Sequence, residues 1–125
     1  MDREIKFRGK EFPNNNWIFA SAYDQENEIF IIDFANVAVI GETVGQFTGL
    51  KDIDGNEIFE GDIIQNVDSD DEEIYSIVMI GDCWCGLISG GSPDSDEDAQ
   101  PLGWLLDNAA FKVIGNIHDT PELLE

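Results

Sequence analysis

The sequence predicts an all-β protein, a barrel or sandwich of many short antiparallel strands with one helical turn near the carboxyl end. Three observations carry this. Polar and apolar residues alternate with period two in Glu4-Ile5-Lys6-Phe7-Arg8. Short β-branched and aromatic runs recur, as in Glu28-Ile29-Phe30-Ile31-Ile32. Turn residues punctuate these runs throughout, as at Pro13-Asn14-Asn15 and Asp54-Gly55.

The elements follow in order. Residues 4–8 form a strand with Ile5 and Phe7 on one face and the charges on the other. Residues 16–20 follow the Pro13 turn as a second strand, and residues 28–32 make a third, buried one. Further strands are expected over 44–47, 57–59, 62–67, 73–80, 85–89, 103–106 and 111–117. Asp54-Gly55, between Ile53 and Ile58, has the chemistry of a tight hairpin turn, because both residues tolerate positive φ. Pro121-Glu122-Leu123-Leu124 reads as a helical turn capped by Asp119 or Thr120.

Length and charge narrow the function. The 125 residues fit one domain spanning 1–125. The net charge is −21, and four of the six basic residues (Arg3, Lys6, Arg8, Lys10) lie in the first ten positions. Everything after them is strongly acidic, which argues against direct nucleic-acid or anionic-membrane binding, since those partners need cations to neutralise phosphate. The runs Asp68-Ser69-Asp70-Asp71-Glu72-Glu73 and Asp94-Ser95-Asp96-Glu97-Asp98 read as solvated loops. The amino terminus lacks an apolar core for a signal peptide, and the apolar stretches 29–32 and 37–40 are far below the ~20 residues a spanning helix needs. A cytoplasmic protein with Cys83 and Cys85 reduced is the expectation.

The residues carry few signatures of chemistry. Neither Asp52-x-Asp54-x-Asn56 nor Asp94-x-Asp96-x-Asp98 continues as an EF-hand loop, because Gly and the terminal Glu are missing. Weak cation binding by Asp94, Asp96 and Asp98 would rest on carboxylate density alone. Cys83 and Cys85 have only His118 as a further soft ligand, too few for structural zinc. They read as small residues packed around Trp84. There is no phosphate-binding loop and no nucleophile elbow. No metal or cofactor is expected.

The run Val44-Gly45-Gln46-Phe47-Thr48-Gly49-Leu50-Lys51-Asp52-Ile53-Asp54-Gly55-Asn56-Glu57-Ile58-Phe59-Glu60-Gly61-Asp62-Ile63-Ile64 is more specific. It closely resembles the central block of the YopX family. Arg3-Glu4-Ile5-Lys6-Phe7-Arg8-Gly9-Lys10 agrees at the start, and Phe111-Lys112-Val113-Ile114-Gly115-Asn116-Ile117 with Pro121-Glu122-Leu123-Leu124 at the end. The resemblance implies a small phage or prophage protein with a mostly β fold and no established biochemical activity. It supplies no catalytic residues. Residues 65–110, with both acidic runs and both cysteines, form an acidic variable insert outside the matching blocks.

Within the central block, Gly49, Gly55 and Gly61 look like punctuation for successive turns. Asp52 and Asp62 beside them can accept backbone N–H bonds. Gln46, Thr48, Lys51 and Asp52 are the candidate binding surface, because turn ends on a β scaffold commonly carry function. The leading expectation is a non-enzymatic module that binds a host or phage protein. One alternative is an acidic mimic of nucleic acid that inhibits a host protein. Another is a carboxylate-dependent, metal-assisted enzyme. Homo-oligomerisation stays open, since edge strands invite pairing while the net charge resists it.

Overall fold

A computed structural model describes residues 5–68, 73–91 and 98–124. Among the described residues it is mainly β, with antiparallel sheets, one short α-helix and no closed barrel. The chain divides into two compact units, Met1–Gly49 and Leu50–Glu125.

The first unit holds β1 (Phe7–Glu11), β2 (Trp17–Ala20), β3 (Tyr23–Asp24), β4 (Ile29–Ile32) and most of β5 (Ala35–Lys51). Their order in the sheet is β2-β1-β5-β4-β3. Its core is Phe30, fully buried among Ala20, Val39, Phe7, Ile18, Tyr23, Ile32 and Val44. The Tyr23 ring meets Phe30 edge-on at 5.5 Å. A Cβ on Gly9 would lie 3.1 Å from the tips of both Phe30 and Val44, so the bare backbone of β1 lies close over this core. The alternation predicted for residues 4–8 holds for Phe7, whereas Ile5 is exposed and precedes the strand.

The length of β5 departs from expectation: the strand predicted over 44–47 is part of a 17-residue element. Its early start depends on the preceding turn, where Ile32 pairs with Ala35 across Asp33 and Phe34. Both turn residues have positive φ, 51° and 69°. That is the φ signature of a type I′ hairpin, which normally recruits Asn-Gly. The continuation of β5 passes through a bulge. Arg8 pairs with Gly45 and Lys10 with Ile40, so Gly9 faces an excursion of β5 over residues 41–44. Thr43 closes it. Its buried hydroxyl accepts from the Lys10 N–H (2.8 Å) and donates to the Ile40 carbonyl (2.6 Å).

Phe34 is fully exposed and carries the strain of a left-handed, non-glycine residue. Phe34→Gly should therefore raise the unfolding free energy by about 1 kcal/mol in urea titration. An unchanged or lower midpoint would mean that the turn is not strained.

The second unit holds β6 (Glu57–Phe59), which pairs with β5, and a five-stranded sheet. That sheet comprises β7 (Asp62–Asn66), β8 (Ile74–Ile80), β9 (Cys83–Ile88), β10 (Ala99–Pro101) and β11 (Phe111–Asn116), in the order β10-β9-β8-β7-β11. Ile58, Ile64, Tyr75, Ile77, Leu102, Leu105 and Phe111 form its core. The Tyr75 and Phe111 rings cross at 74° with centroids 5.6 Å apart. The expected helical turn is present as a 3-10 helix over Pro121–Leu124.

One strand prediction is overturned: residues 103–106 lie within α1 (Leu102–Asn108). Pro101 stands at the amino-terminal cap, where its missing N–H costs nothing. Leu102 and Leu105, three apart, share the buried face. α1 fits onto β9 at Gly86, where an added Cβ would lie 2.6 Å from Leu105 Cδ1.

Candidate functional site

The turn between β5 and β6 is organised by one carboxylate. Asp52 Oδ1 accepts the N–H groups of Asp54 (2.9 Å) and Asn56 (2.8 Å). Its Oδ2 accepts the Asn56 side-chain amide (3.2 Å) and the Val113 N–H of β11 (3.0 Å). Burial pushes the Asp52 carboxyl up, but the donated bonds from Val113, Asn56 and Asp54 outweigh it and hold the group below its usual value. The turn closes through Asp52 N–H to the Asn56 carbonyl (2.9 Å) and Gly55 N–H to the Asp52 carbonyl (3.0 Å). Only Gly55 is left-handed here, at φ 85°, so Asp54 does not adopt the positive φ expected of it. Gly61 is also left-handed, at 89°, as turn punctuation requires, whereas Gly49, left-handed at 86°, lies within β5 and not in a turn.

Asp62 repeats the device at the next turn. Almost wholly buried, it accepts the Phe59 N–H at 2.7 Å. Both aspartates thus act as the sequence suggested, as acceptors inside turns. Asp52, however, is buried and spends its carboxylate within the scaffold, so it leaves the surface to its neighbours.

Those neighbours are Lys51, exposed, and Ile53, which is 61% exposed. Ile53 is nonetheless fixed, because its N–H donates to the Phe111 carbonyl at 3.0 Å. Residues 51–53 form one wall of an open cleft of about 510 Å³. Opposite stand the end of α1 and the following loop, Leu106 to Phe111, with Asp68 completing the lining. Asp68 accepts the Ala110 N–H (3.0 Å), and the Ala110 carbonyl accepts the Val67 N–H (2.8 Å), so this wall is pinned too. Of the four predicted site residues, the structure brings Lys51 and Asp52 to the cleft. Gln46 and Thr48, half-buried on β5 either side of buried Phe47, do not line it. Sequence reasoning missed Ile53 and residues 106–111. The available signal was an apolar Ile53 between two aspartates at a turn tip.

The whole chain, residues 2–125, matches the family model described as YopX protein. The chain belongs to the YopX family. No curated protein matches it. In this YopX-family chain, the central and carboxyl-terminal blocks that carry the resemblance are bonded partners. β7 pairs with β11, from Phe111 against Asn66 to Asn116 against Asp62, and Asp52 reaches Val113 from the turn. At the far end of β11, Asn116 Oδ1 accepts the N–H groups of His118 (3.0 Å) and Asp119 (2.9 Å). The named Asp, Gly and Asn residues of those blocks serve the backbone.

Among the described residues no group of three or more His, Cys, Asp or Glu could hold a metal ion. The Asp94 and Asp96 positions proposed for cations lie outside the described residues, as do 69–72 of the first acidic run. Tyr75 donates to Glu73 at 2.8 Å, and burial, reinforced by that carboxylate, pushes its phenol up to about 12. Burial, reinforced by the Cys83 thiol, pushes Cys85 up to about 11. Both shifts favour the protonated form at neutral pH. Among the described residues no helix is long and apolar enough to cross a membrane.

Proposed function

We propose that this YopX-family protein is a non-enzymatic binding module, and that the β5–β6 turn engages another protein of host or phage origin. One observation carries the reading: Ile53 is exposed on a turn whose backbone is fixed on both sides. An apolar side chain on a fixed backbone leaves less conformational entropy to lose on binding, which is what an interface anchor requires. The cleft alongside gives a partner a concave surface, and Lys51 adds a cation in an otherwise acidic chain.

The test is co-purification of tagged wild type and of Ile53→Asp and Lys51→Glu, from host lysate and from phage-induced cells. Ile53→Asp should cost about 2 kcal/mol of affinity, roughly a 30-fold loss, with the far-ultraviolet circular dichroism unchanged. An interface anchored by Ile53 should also persist when salt is raised several-fold, whereas an acidic decoy would release its partner. Wild-type binding by both variants would remove this turn from the interface.

A further inference from the structure

β9 carries both cysteines of the chain, two residues apart and so on one face of the strand. Their spacing is fixed by the ladder. Cys83 pairs with Ile80 and Cys85 with Val78 on β8, while Pro101 of β10 pairs with Cys85 from the other side. β10 ends its pairing there, and Cys83 is exposed while Cys85 is buried behind it. Both are free thiols. Cys85 Sγ lies 3.7 Å from the Cys83 carbonyl, and Cys83 Sγ lies 3.5 Å from the Trp84 carbonyl. Neither thiol takes part in the turn or the cleft described above.

Two sulfurs without a third ligand select by coordination number. Tetrahedral zinc and octahedral hard cations need more donors, and among the described residues no third His, Cys, Asp or Glu completes a set. A soft ion that accepts two thiolates in line does not need one. We propose that Cys83 and Cys85 together bind one monovalent soft metal ion of the Cu⁺ class. Both S–H bonds break, two sulfur–metal bonds form, and two protons pass to solvent with no change of oxidation state. Exposed Cys83 is the point of entry, and buried Cys85 is the second ligand that converts capture into chelation.

The experiment titrates the reduced full chain with Cu⁺ under anaerobic conditions, against bathocuproine disulfonate as competing chelator. One ion per chain, two protons released per ion and a new near-ultraviolet thiolate-to-metal band are expected. Cys83→Ser, at an exposed position that leaves the fold intact by circular dichroism, should weaken retention at least about 100-fold, since the chelate becomes a single bond. Cys85→Ser should do the same. The proposal is overturned if the chelator strips the wild type as readily as a variant lacking both thiols. It is equally overturned if Cys83→Ser retains the ion, or if one ion is shared between two chains.

Discussion

Asp52→Asn should lower the unfolding free energy by about 3 kcal/mol, a large effect for an isosteric change in a protein of this size. The carboxylate has four donors converging on it: three backbone N–H groups and one side-chain amide. Asparagine keeps one acceptor oxygen and turns an NH₂ group toward donors, leaving at least one part-buried N–H without a partner. An unsatisfied buried donor costs about 1–3 kcal/mol, and bonds to a charged acceptor are worth more than neutral ones. The same change loosens the wall that carries Ile53. Partner binding should therefore weaken in Asp52→Asn although Asp52 itself is buried.

The charge of Asp52 gives this prediction a pH signature. Its carboxyl is held below the usual value in the folded chain. The stabilisation it contributes is thus complete above the unfolded-chain value of about 3.9, and it is lost as pH falls from there through the lower folded-state value. Acid also relieves the self-repulsion of a −21 chain. The measurement is accordingly a difference: urea midpoints of wild type and Asp52→Asn from pH 7 to pH 3. The gap between them should be constant near neutrality and shrink below about pH 4. A gap that stays constant to pH 3 would mean that the ionised carboxylate is not the acceptor that holds the turn.

The turn block was legible because its chemistry is local. Gly49, Gly55 and Gly61 mark positions where the chain needs positive φ, and Asp52 and Asp62 sit within two to four residues of the N–H groups they accept in the turns. What the sequence could not show was the fourth donor to Asp52, because Val113 lies 61 positions away. Only that long-range bond makes Asp52 part of the scaffold, and it leaves Ile53 and Lys51 as the outward groups. The start of β5 was hidden for the opposite reason. Asp33-Phe34 adopts a turn geometry that local propensity assigns to Asn-Gly, so no turn signal announced it. In Trp104-Leu105-Leu106, a short apolar run bounded by Gly103 fits a strand or a buried helix equally well by pattern alone.

That ambiguity supplies the second large prediction. A strand over 103–106 would set Gly103 and Leu105 on one face and Trp104 and Leu106 on the other. The helix instead buries Leu102 with Leu105 and leaves Trp104 55% exposed. Leu102→Ala and Leu105→Ala should each cost about 2–5 kcal/mol by chemical denaturation, the range for cavities in a packed core. Trp104→Ala should cost under about 1 kcal/mol despite the larger side chain removed. The reverse ranking would favour the strand. The consequence extends to binding, because Leu106 and the loop after α1 form one wall of the cleft beside Ile53. Loosening the helix at Leu105 should weaken partner binding along with stability, whereas Trp104→Ala, outside that cleft, should leave binding by the β5–β6 turn unchanged.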